Sequence, residues 1–170
     1  MKRILIVGSG GAGKSTLAKR LGEQTKIPVV HLDFHHWHAG WVEIPKDVWR
    51  KKVEELLQTD SWIMDGNYSG TLDIRLTACD TVIFLDLPRI LCLWRVLKRL
   101  VKYRNKKRPD MADGCFERFD FEFIKFVWGY PQGSKKRVIE KIELYGKQKN
   151  IIHLKSRKDV ESFLETVKAS

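Results

Sequence analysis

Short apolar runs alternate along the chain with stretches whose apolar residues recur every three or four positions. Ile4-Leu5-Ile6-Val7 is the first such run, of a length that suits a buried strand. Residues 28–33, 61–65, 80–86 and 150–154 have the same form, and the run at 80–86 is almost wholly apolar and therefore central. Helical spacing fills the intervals: residues 14–23, 45–57, 71–77, 89–102, 117–128, 134–145 and the stretch after 156. Pro45 stands where proline opens a helix, with Val48, Trp49, Val53, Leu56 and Leu57 as its core face. In the helix at 89–102, Ile90, Leu93, Trp94, Leu97, Leu100 and Val101 line one stripe, while Arg95, Arg99 and Lys102 share another face. Phe119, Phe123, Phe126 and Val127 form the expected buried side of the next helix, and Ser156-Arg-Lys-Asp159 spells a capping box for the last. Strands and helices alternating with crossover-length connections predict an α/β fold with a parallel sheet covered on both faces.

The first strand runs into Gly8-Ser9-Gly10-Gly11-Ala12-Gly13-Lys14-Ser15-Thr16, and a helix begins at once. Strand, G-x-x-x-x-G-K-S and helix in that order constitute a phosphate-binding loop in its proper context. Residues 8–16 are accordingly expected to hold a nucleoside triphosphate. The glycines allow consecutive backbone N–H groups to converge on the phosphates, and the helix N-terminus adds its partial positive charge. Lys14 is placed to reach the β- and γ-phosphates, and the Ser15 hydroxyl to ligate Mg²⁺.

At 170 residues the chain is expected to be one P-loop domain, residues 1–170, with 43% hydrophobic content to build a core. No apolar run is long enough to span a membrane, and the first strand consumes the start of the chain, leaving no room for a signal peptide. Cys79, Cys92 and Cys115 are odd in number and lack metal spacing, so they read as reduced thiols of a cytoplasmic protein.

The net charge of +11 is unevenly placed: residues 89–108 hold nine basic side chains and no acidic one. Two uses fit such a segment, a clamp on polyphosphate or a stripe for DNA. Two acids close strands. Asp33 and Asp65 are expected at carboxyl ends of the sheet, the edge where ligands gather in open α/β folds. If a hydroxyl accepts the phosphoryl group, Asp33 is the expected base or orienter, and Asp65 would hold Mg²⁺ together with Ser15. His35, His36 and His38 beside Trp37 and Trp41 match no common zinc spacing, so this stretch is read as an aromatic loop facing a substrate.

Several of these residues carry a resemblance. Trp62-Ile-Met-Asp65-Gly66 resembles the strand closing in Asp-Gly of adenylate kinase-like enzymes. Asp86-Leu-Pro88 followed by Arg95 and Arg99, seven and eleven residues past the proline, is similar to the strand and arginine pair that lead into their lid. His31-Leu-Asp33, Gly40-Trp41, the run from Trp62 to Ser69, Thr71-Leu-Asp-Ile-Arg75 and Arg108-Pro-Asp-Met111 together resemble the bacterial DNA topology modulation protein family, small predicted kinases within that group. The resemblance implies a P-loop NTPase three-layer sandwich with a five-stranded parallel sheet in the order 2-3-1-4-5. It also implies a helical lid insertion over about residues 103–137. Asn67-Tyr68-Ser69 stands where adenylate kinases continue Phe-Pro-Arg, which speaks against an adenylate acceptor.

Two classes of function follow. One is an ATP-dependent phosphotransferase that moves the γ-phosphoryl group to a nucleoside, nucleotide or similar small acceptor. Its clamp would be Arg95, Arg99, Arg104 and Arg108, with Arg118 and Arg137 as further contributors, and Lys98, Lys102, Lys106 and Lys107 as a solvated face. The other is an ATP-binding regulator that contacts DNA through the same segment. It is not favoured, because no groove-reading motif accompanies the charge and strand-end acids serve no purpose in a DNA groove.

Overall fold

The computed structural model describes residues 1–104, 106 and 108–168; Lys107 therefore lies outside the described residues. Five strands, β1 (Arg3–Gly8), β2 (Val29–His31), β3 (Trp62–Asp65), β4 (Thr81–Leu85) and β5 (Asn150–Leu154), form one sheet. Its order is β2-β3-β1-β4-β5, with every pairing parallel, as the resemblance implied. Among the described residues eight α-helices connect and cover it: α1 (Lys14–Thr25), α2 (Leu32–His36), α3 (Lys46–Leu56), α4 (Leu72–Ala78), α5 (Arg89–Lys102), α6 (Phe121–Gly129), α7 (Ser134–Tyr145) and α8 (Arg157–Lys168).

The apolar run of β1 serves both faces of the sheet, because successive side chains point opposite ways. Ile4 and Ile6 join Leu17 and Leu21 of α1, Cys92 and Val96 of α5, Val127 of α6 and Leu164 of α8. Leu5 and Val7 join Trp49 and Val53 of α3, Leu72 and Leu76 of α4, and Val138 and Ile142 of α7. These are the two outer layers of the sandwich. The capping box of α8 forms as expected, with Asp159 N–H donating to Ser156 Oγ and Ser156 N–H to Asp159 Oδ2. Arg20 then fixes α8 to α1 through a two-pronged bond to Glu161 at 2.8 and 2.7 Å.

Three local expectations are corrected. The second strand ends at His31, opposite Asp65, where its partner β3 also ends, so Asp33 sits in the short helix α2 and not on a strand. Helix α6 begins at Phe121 instead of residue 117, because the Asp120 carboxylate accepts the Phe123 N–H and caps it there. Val127 is buried as expected, but Phe119 is 68% exposed. Helix α5 is rotated relative to its most apolar stripe: Cys92 and Val96 are buried, while Ile90, Trp94, Leu97 and Val101 face outward. The reason is a close backbone approach. A Cβ on Gly11 would lie 2.3 Å from the Cys92 carbonyl oxygen, so the face of α5 that meets the phosphate loop is chosen by fit and by its arginines.

Beyond β4, Asp86 accepts bonds from Lys135 Nζ (2.7 Å) and His153 Nε2 (3.0 Å), tying α7 and β5 together. Partial burial raises its pKa, but these two bonds outweigh that and hold the carboxyl below its usual value. Stability from this group is therefore present above the ordinary Asp value and lost as pH falls through the depressed one. Asp86→Asn is expected to lower stability by about 1 kcal/mol at neutral pH. The difference from wild type in urea midpoint should shrink steadily from about pH 5 towards pH 2, in the manner of a carboxylate pair being protonated.

Candidate active site

Residues from the carboxyl ends of β1, β2 and β3, with the second half of α5 and the segment after it, line one cavity of about 970 Å³. Pockets for small molecules run to about 1,000 Å³, so there is room for two substrates side by side. The phosphate loop forms the floor. Gly13 caps α1 in a left-handed conformation, and Gly10, Gly11, Gly13, Lys14, Ser15 and Thr16 all face the cavity. Ser9 and Ala12 are buried beneath it, and Gly8 ends β1. Lys14 curls back over the loop, its Nζ donating to the Gly8 and Ser9 carbonyls at 3.0 Å each. Burial pulls its pKa down, opposed by the charges of Asp33 and Asp65 on either side.

Asp65 is gripped by two neighbours. Ser15 Oγ donates to Oδ2 at 2.7 Å, and His31 Nδ1 meets Oδ1 at 2.6 Å. The second contact follows from sheet register, since His31 and Asp65 are direct partners at the ends of parallel strands. Burial lowers the His31 pKa, but the bond to Asp65 and the nearby carboxylates raise it further, giving a net increase. Across the cavity, Asp33 Oδ1 accepts a 2.6 Å bond from the Tyr68 hydroxyl. Burial pushes the Tyr68 pKa up and Asp33 adds to the effect, so this group stays a donor.

Tyr68 is held there by a residue remote from the chemistry. Arg75, wholly buried, donates from Nη1 to the Gly66 carbonyl, from Nη2 to those of Asn67 and Tyr68, and from Nε to that of Thr71. Burial lowers its pKa to about 10. The loop wound on it presents Asn67 to the phosphate loop, where the amide takes both backbone groups of Gly8: Nδ2 donates to the carbonyl at 2.8 Å and Oδ1 accepts from N–H at 3.1 Å. Asn67 thus does for the end of β1 what a neighbouring strand would do.

The basic segment supplies the far wall. Arg95 Nη1 donates to the Ala12 carbonyl at 3.0 Å. Arg99 and Arg108 both line the cavity and both pair with Glu117, at 2.8 and 2.9 Å; Arg108 also reaches Asp110. Arg118 lies over the Trp41 ring. Arg104 is exposed and is not among the cavity-lining residues, and Arg137 borders a smaller adjoining pocket. Lys98, Lys102 and Lys106 are exposed. The aromatic stretch is a hairpin, Trp37–His38 against Val42–Glu43. His36 is packed among the rings of Trp37, Trp49 and Tyr68. Residues 111–115 dock on this hairpin: Met111, Ala112 and Cys115 are buried against Trp37 and Trp41, and Trp41 Nε1 donates to the Phe116 carbonyl. Trp37 and Trp41 of this hairpin line the cavity.

His31, Asn67, Tyr68, Arg75 and Glu117 have roles that motif reading did not assign. His31 had a signal, its position two residues before Asp33 on a strand beside the one ending in Asp65. Glu117 had none beyond being an acid close to the basic segment.

No family model matches the chain. It is 26% identical over 132 residues to a shikimate kinase of Leptospira biflexa, covering 66% of this chain and 73% of that protein. It is 30% identical over 110 residues to an adenylate kinase of Thermotoga petrophila, covering 63% and 49% respectively. The crystal structure of a shikimate kinase from Bacteroides thetaiotaomicron matches the fold with a TM-score of 0.55 at 17% identity, covering 99% of this chain and 96% of that one. Among the described residues no helix is long and apolar enough to cross a membrane. Relatives that are shikimate and adenylate kinases, with a fold shared with shikimate kinase, support a small-molecule kinase.

Proposed function

We propose that the chain transfers the γ-phosphoryl group of ATP, with Mg²⁺, to a hydroxyl of a small acceptor seated between Asp33, Tyr68, Trp37 and Trp41. The observation that carries this reading is the placement of two differently partnered carboxylates about Lys14. Asp65 is tied to the phosphate loop through Ser15, while Asp33 faces the aromatic side with Tyr68 as its partner. The donor set at Ser15 and Asp65, a hydroxyl beside a carboxylate, fits a hard cation such as Mg²⁺. When bound there, the ion would neutralise charge on the β- and γ-phosphate oxygens.

The chain's own groups would divide the remaining work. Lys14 and the N–H groups of residues 8–16 bind and orient the triphosphate. Asp33, oriented by the Tyr68 hydroxyl, directs the acceptor hydroxyl and takes its proton from the Oδ2 side. Arg95, Arg99 and Arg108 face the transferred group, and the docked segment 111–115 excludes water. We also place the chain with the bacterial topology modulation proteins, because the segments that carry that resemblance supply Asp33, Trp41, Asp65, Tyr68, Arg75 and Arg108 to this one site. Its three cysteines are all buried and free, which fits a cytoplasmic setting. Direct DNA binding is not favoured, since the arginines of the basic segment that line the cavity are turned inward.

The test is acceptor-dependent ADP release across a panel of nucleosides, nucleotides and sugars, followed by Asp33→Asn. With a hydroxyl acceptor, kcat should fall by roughly 100-fold or more, the range for a lost general base, with ATP affinity almost unchanged. Retention of full rate in Asp33→Asn would reject the hydroxyl acceptor in favour of a phosphate one, which needs no base.

A further inference from the structure

We infer that Glu117 is a positioning residue for phosphoryl transfer: its one buried carboxylate sets the guanidinium groups of Arg99 and Arg108 side by side over the phosphate loop. This rests on the kinase reading above and goes beyond it, since the two arginines come from different elements and the Glu117 carboxylate lies against both. Arg99 belongs to α5 and Arg108 to the segment that follows. Arg99 donates through Nε to Oε1 at 2.8 Å, while Arg108 Nε lies 2.9 Å from Oε2 as an ion pair that is not aligned as a hydrogen bond. Among the described residues the Nη groups of Arg99 make no hydrogen bond, and the guanidinium lies over the Phe123 ring. The Nη groups are the end of the fork with which a guanidinium grips phosphate.

Two cations this close repel, and burial adds to the cost: the Arg99 pKa is pulled down by burial and by Arg108 against the pull of Glu117. A carboxylate between them, its side chain 4% exposed, offsets both. Glu117 is itself anchored at the neck of the closing segment, where its N–H donates to the Lys106 carbonyl and its backbone bridges to Arg104.

Glu117→Gln keeps shape and packing while removing the charge. In this variant kcat should fall roughly 10- to 100-fold, the scale of a weakened transition-state donor, while ADP affinity by calorimetry stays within about threefold. In the ligand-free protein, the Arg99 Nε–H resonance, protected in wild type by its bond to Oε1, should be lost from the NMR spectrum. On an Arg99→Ala background, Glu117→Gln should cost no more than about a further threefold, because its effect runs through an arginine already gone. Additive losses in the double variant, an unchanged kcat, or tighter nucleotide binding with faster turnover would each overturn the inference, the last by showing a carboxylate that competes with phosphate. Absence of phosphoryl transfer from the wild-type chain to every acceptor would instead defeat the kinase reading, and the NMR comparison would still test the arginine pairing.

Discussion

Lys14→Ala should abolish phosphoryl transfer to within measurement, a loss on the order of 100- to 1,000-fold or more, the scale of removing a charged transition-state donor. The side chain lies where charge develops and not where the fold is held. Its Nζ is bonded only to the Gly8 and Ser9 carbonyls, and Gly8 keeps Asn67 as a second partner when the lysine is removed. Circular dichroism and the urea midpoint should therefore be almost unchanged while calorimetry shows ATP affinity sharply reduced. Normal ATP binding by the folded variant would mean that the phosphates lie elsewhere.

Arg75→Met should produce the largest loss of stability, about 3–5 kcal/mol, in the range for removing one partner from a buried polar network. Methionine fills much of the volume but donates nothing, and the carbonyls of Gly66, Asn67, Tyr68 and Thr71 lose their shared donor. A drop in urea midpoint with an unchanged m-value is the expected signature. Such variant protein as remains folded should also be slow, since Tyr68 and with it Asp33 lose their fixed position. A variant as stable as wild type would show that water replaces the guanidinium freely.

The elements and their order could be read from the chain because local pattern determines them. Apolar runs of four to six residues, the glycine spacing at residues 8–13 and the Ser156–Asp159 cap each act within a few residues of themselves. The floor of the site was legible for the same reason. The walls were not. Asp65 meets His31 through sheet register, Tyr68 meets Asp33 across 35 positions, and Glu117 meets Arg99 and Arg108 from the far side of a loop. None of these pairings leaves a periodic trace. The outward stripe of α5 shows the limit most plainly, because hydrophobic spacing predicts that a helix is amphipathic but not which face its neighbours take.

The position of β1 at the centre of the sheet has a consequence for synthesis. Arg3 pairs with Trp62 and Gly8 with Leu85, so β1 has no partner in the sheet until some 60 to 80 further residues have left the ribosome. At about 5–20 residues per second, that is a wait of roughly 3–15 s. Throughout it Ile4-Leu5-Ile6-Val7 is a bare apolar segment of the kind that chaperones hold. Nor can nucleotide rescue the growing chain early, because the phosphate loop leans on Asn67 and on the backbone at Cys92. Residues 8–16 are thus made well before the segments that give them their shape.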